Sequence, residues 1–281
     1  MSTSYLTVDL HCHSTRSDGV LEPAQVAERA YENGVRMWSL TDHDELSGLS
    51  EARDTAEQLG MRFINGVEIS TTWAGITVHI VGLNFDADHP ILSNELAQLR
   101  SGRLERAHKI ADALAEQGIE GAFDGALAFA ANPAMLSRTH FARYLVQAGY
   151  CDHLQEAFNR WLADGKPASV AMKWATLEQA VSWIRAAGGT PVIAHPGRYK
   201  YTDLQFQSLF EHFIELGGVG IEVLTGSHTP EDYETYSKVA KHYGFLVSCG
   251  SDFHGPSEGR IDLGRLPPLP AGLEPVWKDW W

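Results

Sequence analysis

Seven short apolar runs punctuate the 281-residue chain: Tyr5–His11, Arg36–Thr41, Arg62–Ser70, Ile76–Leu83, Thr190–His195, Val219–Leu224 and Phe245–Gly250. They are continuous rather than alternating, as expected of parallel strands covered on both faces. Amphipathic stretches separate them. One opens with Pro23 in a first-turn position and closes at Gly34; another runs from Leu46 to Leu59 and closes at Gly60. Strand followed by helix, several times over, predicts an α/β barrel or a doubly wound sheet. Between about Asn94 and Gly188 the rhythm changes to consecutive helical patterns, Asn94–Gln117, Thr139–Ala148, Leu154–Leu162 and Thr176–Ala187, with no convincing strand among them. The expected organisation is a barrel made from residues 1–93 and 188–281, interrupted by a helical insertion at 94–187 that serves as a substrate lid. The segment Pro267–Pro270 reads as an irregular surface wrap.

Charge and composition narrow the possible partners. Lys+Arg number 22 against 36 Asp+Glu, a formal charge of −14. That balance excludes a broad basic surface for long duplex nucleic acid. The three cysteines, Cys12, Cys151 and Cys249, form no C-x-x-C pair and fit a reducing compartment better than a disulfide framework. Neither a signal-peptide pattern nor a run of about 18 apolar residues is present, so a soluble cytoplasmic protein without membrane contact is expected. The unusual part of the inventory is its 13 histidines.

Their positions are not random. Asp9-Leu10-His11-Cys12-His13, Thr41-Asp42-His43-Asp44, Gly66-Val67-Glu68, Ala194-His195-Pro196 and Ser251-Asp252-Phe253-His254 all end or directly follow strand patterns; His79 lies inside one, and Asp18 in the loop Ser17-Asp18-Gly19. In α/β folds the C-terminal strand ends converge on one face. His11, His13, Asp18, His43, Glu68, His79, His195, Asp252 and His254 are therefore expected to meet. Imidazole and carboxylate without thiolate is ligand chemistry for Mn²⁺, Zn²⁺ or Fe²⁺. In H-x-H on an extended strand both rings point the same way, while the intervening Cys12 faces the core. This many ligands suits two or three ions, with Glu68 able to bridge. Of the remaining histidines, His108, His153, His212 and His242 read as surface or capping residues.

The signatures D-L-H-C-H, S-D-G, T-D-H-D, G-V-E, H-P-G-R and S-D-F-H, in this order, resemble those of the PHP (polymerase and histidinol phosphatase) superfamily over essentially the whole chain. The resemblance implies a distorted (β/α)7 barrel, in agreement with the seven strands counted above. The chain looks closest to the branch acting on nucleoside 3′,5′-bisphosphates, which is similar to enzymes trimming RNA from its 5′ end. That branch carries an insert with G-R-L-E-R, S-R-T-H-F-A-R and G-K-P, here Gly102–Arg106, Ser137–Arg143 and Gly165–Pro167. By the same resemblance one metal takes His11, His13, Glu68 and Asp252, a second Asp18, His43 and His254, and a third Glu68, His79 and His195. Many relatives place a histidine at position 18; a carboxylate there moves that site's preference toward Mn²⁺.

Three divalent ions against three carboxylates leave a cationic site suited to a phosphate monoester. The expected nucleophile is metal-activated hydroxide, with no catalytic side chain and no phosphoenzyme. Substrate choice falls to Arg103, Arg106, Arg138, Thr139, His140 and Lys166 of the insert and to Asp44, Arg198 and His228 of the barrel. Asp44 can serve either a ribose hydroxyl or the metal shell; Glu222 is either a support for a ligand or a buried partner. The expected reaction removes the 3′-phosphate from a nucleoside 3′,5′-bisphosphate, giving the 5′-monophosphate. A 5′→3′ exoribonuclease acting on short 5′-phosphorylated RNA would use the same site, and a small-molecule phosphatase of the histidinol-phosphate type is a more distant alternative. The partner is accordingly a small nucleotide or an RNA 5′ end.

Overall fold

A computed structural model describes residues 7–281; Tyr5 and Leu6 of the first expected strand lie outside the described residues. The strands are β1 (Val8–Asp9), β2 (Met37–Leu40), β3 (Arg62–Trp73), β4 (Ile76–Leu83), β5 (Ala175–Thr176), β6 (Thr190–Ile193), β7 (Gly220–Thr225) and β8 (Leu246–Gly250). The sheet runs β1-β2-β3-β4-β6-β7-β8, with the two-residue β5 paired to β3 off this path. Leu10 N–H donates to Cys249 O at 3.0 Å, and Cys12 bridges Phe253, so the last strand returns to the first and the sheet nearly closes. This is the expected seven-strand α/β barrel. The helices outside it are α1 (Pro23–Glu32), α2 (Leu49–Gln58), α3 (Pro90–Ser101), α4 (Arg103–Ala115), α5 (Ala122–Leu127), α6 (Arg138–Gln147), α7 (Leu154–Ala157), α8 (Leu177–Ala186), α9 (Asp203–Glu215) and α10 (Pro230–Tyr243).

The expectation of an all-parallel sheet fails at β4, which is antiparallel to both β3 and β6. The reason is the connection. Trp73 pairs with Ile76 across Ala74 and Gly75, whose φ values are 45° and 80°. Two residues with positive φ make a hairpin turn, whereas a parallel crossover needs a dozen or more residues.

On the two faces of the sheet, Met37, Trp38, Leu40, Ile69, Ile80, Val192 and Ile221 are fully buried. Each large apolar side chain so enclosed contributes about 1.5–3 kcal/mol relative to exposure. Cys12 belongs to this core: its Sγ receives the Trp38 indole N–H at 3.2 Å. The strand-end glycine Gly250 is required by proximity, since a Cβ there would stand 2.1 Å from that of His11.

A second cluster of buried residues, running from Ala107 to Ala168, is built by α4–α7 and includes Ile110, Leu114, Phe141 and Leu145. The buried leucines of α3, in contrast, join the barrel core. The continuous helix expected over Asn94–Gln117 is broken into α3 and α4 at Gly102. One short strand, β5, does interrupt the helical stretch, where Thr71 and Thr72 pair with Ala175 and Thr176. A two-residue strand has no sequence period to reveal it. The C-terminal segment is anchored: Val247 N–H donates to Glu274 O at 2.8 Å and Val276 N–H to Val247 O at 2.9 Å, and Val276 and Trp277 are buried.

Candidate metal centre

All nine expected ligand residues converge at the C-terminal end of the parallel strands, with His79 contributed by the reversed β4. Glu68 is the hub. Its Oε1 lies 2.8 Å from His79 Nδ1 and 2.8 Å from His195 Nε2. Its Oε2 lies 2.9 Å from His43 Nδ1, 3.3 Å from His13 Nε2 and 3.4 Å from His11 Nε2. Asp252 Oδ1 stands 3.3 Å from His13 Nε2 and 3.6 Å from His11 Nε2. On the other flank Asp18 Oδ1 faces His254 Nε2 at 3.4 Å, His43 Nε2 at 3.8 Å and His13 Nδ1 at 4.0 Å. Asp44, His195 and Asp252 hold positive φ (49°, 25° and 53°). For non-glycine residues this is strained backbone, which persists where surrounding structure enforces it.

The donor set fits divalent ions. Two ring nitrogens, His11 Nε2 and His13 Nε2, face each other at 3.3 Å. Six buried polar atoms of these residues, including His13 Nδ1, Asp18 Oδ1, Glu68 Oε2 and Asp252 Oδ1, have no hydrogen-bond partner. Orphaned buried groups are costly and call for an ion or a proton. Four sets of three or four of the nine residues place their ligand atoms within 4.8 Å of one another. Burial opposes the charge on Glu68, but His79 first and then His43 and His11 hold its carboxyl well below the usual range. Against burial, hydrogen bonds to Asp252 and Glu68 raise His13 to about 10. Ions taking these positions replace protons, so metal uptake strengthens as pH rises.

Glu222 settles between its two sequence readings. Fully buried on β7, it accepts from His11 Nδ1 at 2.7 Å and from the His195 backbone N–H at 2.7 Å. The first bond fixes a proton on His11 Nδ1, so that Nε2 is the nitrogen whose lone pair an ion would take once its own proton is displaced. Glu222→Gln must mispair, because its amide group turns a donor toward one of two donors. A loss of metal affinity of about 10–100-fold is expected, read by titration with Mn²⁺; unchanged affinity would show that the His11 tautomer is set elsewhere.

The expected substrate residues divide. Asp44 is buried and engaged: Ser70 N–H and Oγ–H donate to it at 2.8 and 3.0 Å, and Arg103 pairs with Oδ2. It ties the insert to the loop of His43. Arg103 also lies over the Trp174 ring, 4.8 Å from its centroid, with Arg106 at 5.3 Å. Arg106 makes one hydrogen bond, to Val170 O at 2.9 Å. Burial, together with Arg138 and Arg103, pushes its guanidinium well below the ordinary arginine value. Arg138 pairs with the exposed Asp164 at 3.1 Å. His140 is buried; desolvation lowers it to about 4, and its Nδ1 accepts from Ser137 N–H at 3.0 Å, leaving Nε2–H as donor. Thr139 starts the same helix, half-buried. Arg198, 49% exposed, donates to Asp252 Oδ2 at 2.8 Å. Two expected contacts are placed differently. Lys166 is exposed on the turn beyond α7. His228 spends both ring nitrogens, on Val223 O at 2.9 Å and Gly197 N–H at 3.0 Å, and so supports the His195–Arg198 loop.

Comparison with known proteins finds relatives that match along nearly the whole chain. The PHP domain model matches residues 9–225. A 3′,5′-nucleoside bisphosphate phosphatase of Chromobacterium violaceum is 46% identical, covering 97% of this chain and 95% of its own. A 5′-3′ exoribonuclease of Haemophilus influenzae is 43% identical, covering 96% and 97%. A solved Chromobacterium violaceum structure, described as an amidohydrolase with bound sulfate and no metal, superposes with a TM-score of 0.94 at 45% identity, covering 97% of this chain and 95% of that one. With a family model spanning most of its length and relatives alike from end to end, the chain belongs to the PHP domain family.

Proposed function

We propose that this protein is a metal-dependent phosphoesterase that removes the 3′-phosphate of nucleoside 3′,5′-bisphosphates, and that the nine convergent residues hold two or three divalent ions, with Mn²⁺ preferred. The relative at 46% identity is a phosphatase of that substrate class. The observation that carries the reading to this chain is Arg106: a largely buried cation beside two further arginines, with no carboxylate in ion-pair distance among the described residues. Such a charge needs an anion, and the second phosphate of a bisphosphate is one.

When bound, the ions supply Lewis-acid stabilisation of phosphoryl oxygens and a water of lowered pKa. The chain supplies the rest. Arg198 stands exposed beside Asp252 and can take a phosphoryl oxygen with the guanidinium edge that Asp252 leaves free. Arg106 and Arg138 hold the distal 5′-phosphate, and the neutral His140 donates from Nε2. Within residues 94–187, the separately packed α4–α7 act as the lid that carries these groups. Buried free cysteines suit a cytoplasmic setting, and among the described residues no helix is long and apolar enough to cross a membrane.

The test compares the Mn²⁺-loaded protein on a nucleoside 3′,5′-bisphosphate and on the matching 3′-monophosphate. Arg106→Ala and Arg138→Ala should each lower kcat/KM on the bisphosphate by about 10–100-fold, as expected for a charge-assisted hydrogen bond. The monophosphate should change little. No phosphate release from the bisphosphate by a protein active on other phosphate esters would sink the reading. A second reading, 5′→3′ exoribonuclease, is favoured by a groove of ≈ 410 Å³ whose lining sets Arg106, Lys109, Lys173, Trp174 and Trp183 alongside Glu95 and Glu105. Basic and aromatic side chains together suit single-stranded RNA. Release of mononucleotides from 5′-labelled RNA decides it.

A further inference from the structure

The first turn of α6 does two jobs. As N-cap, Ser137 accepts from Thr139 N–H at 3.2 Å; the same Oγ donates to Asp18 Oδ2 at 3.1 Å. That leaves Asp18 Oδ1, the oxygen facing His13, His43 and His254, without a hydrogen-bond partner. Farther along the helix Arg143 is buried and forked. Its Nη2 donates to the Asp18 backbone carbonyl at 2.5 Å, and its Nε and Nη2 grip Glu258 at 2.7 and 2.6 Å. Asp18 lies in the loop after β1, and Glu258 in the loop after β8, which also carries His254. Asn132, just before the helix, adds a hydrogen bond to Arg16 O at 3.2 Å. The insert thus holds the Asp18 loop by side chain and main chain, and Arg143 ties it to the loop of His254.

We infer that Ser137 is a positioning residue for the metal site formed by Asp18, His13, His43 and His254, and that docking of α6 and occupancy of that site are coupled. The inference rests on the reading of these four as ligands. A carboxylate that must rotate freely has to be ordered on metal binding; one already oriented by an outer hydrogen bond does not. Coupling is reciprocal: if a docked α6 favours the ion, the ion favours a docked α6. The other ligand sets, centred on Glu68 and Asp252, do not include Asp18, so the effect is selective.

The experiment titrates the metal-depleted full chain with Mn²⁺ alone, with metal content measured after gel filtration, for wild type, Ser137→Gly and Ser137→Thr. Glycine is well tolerated at an N-cap, so Ser137→Gly removes the bond to Asp18 while sparing the helix. One equivalent of Mn²⁺ should bind about 10–100-fold more weakly in Ser137→Gly, the others being unchanged, and Ser137→Thr should restore it. Hydrogen exchange of residues 137–143 should slow on Mn²⁺ addition in wild type and respond less in Ser137→Gly. Wild-type affinity for every equivalent in Ser137→Gly would overturn the inference and leave the ligand reading intact. A wild-type chain that binds no Mn²⁺ would overturn both.

Discussion

Exhaustive treatment with a chelator is expected to lower phosphate-ester turnover by at least about 10⁴-fold, and Mn²⁺ to restore it. The size follows from charge. Glu68, Asp18 and Asp252 are all held ionised, each with its carboxyl well below the usual range. Without ions, those three carboxylates face a phosphate monoester that is itself close to a dianion, and the protons held by His11 and His13 compensate them only in part. Two or three divalent ions, as proposed, would reverse the sign of the site, and a change of about 5.5 kcal/mol in transition-state stabilisation corresponds to 10⁴. The chelated protein should retain its fold, as judged by circular dichroism, so that loss and recovery report the site. Undiminished turnover with metal content below a tenth of an equivalent would exclude metal-dependent chemistry.

The second large effect is expected at Glu68. Glu68→Gln keeps the volume but replaces one carboxylate oxygen with a donor. Whichever way the amide turns, it points an N–H at histidine nitrogens that now meet an acceptor: His79 and His195 on one side, His43, His13 and His11 on the other. It also removes the negative charge that two neighbouring ions would share. We expect at least one equivalent of metal to be lost and kcat to fall by about 10³-fold or more, a loss of roughly 4 kcal/mol. Metal analysis and kinetics on one preparation check this. Full metal content with near-normal kcat would show that Glu68 bridges nothing.

The distribution of legible and illegible features has a physical pattern. Strands were legible because each is a continuous apolar run, and most of the nine polar residues stood out because they end or directly follow those runs, with His79 inside one and Asp18 in a loop beyond another. The reversal of β4 was not, because an apolar run has no direction; only the two-residue turn at Ala74–Gly75 carries that information. The break at Gly102 was hidden by amphipathic patterns that continue on either side of it. Roles set by contact across the fold were equally hidden. Glu222 was visible as a carboxylate in a strand, but its two donors are 211 and 27 residues away. His228 is chemically indistinguishable in sequence from a ligand, and only its two filled ring nitrogens show it supporting a loop. Ser137 reads as an ordinary helix cap; the bond to Asp18 spans 119 residues.

The reversed strand has a wider consequence. In a barrel of uniformly parallel strands every connection leaves through a loop, and whatever is inserted hangs from a loop. Here the β3–β4 hairpin carries regular backbone pairing past Glu68 to Trp73, and it is on this raised edge that β5 lands, setting Trp174 beside it under Arg103 and Arg106. The arginines are therefore referenced to the same strand that carries Glu68, which on the proposed reading makes β3 a ruler of a few residues between the hydrolytic centre and the groups that would hold the far phosphate. On that reading substrate length would be measured along β3. Changes in the insert can alter what is held at the far end while the distance over which it is held stays fixed.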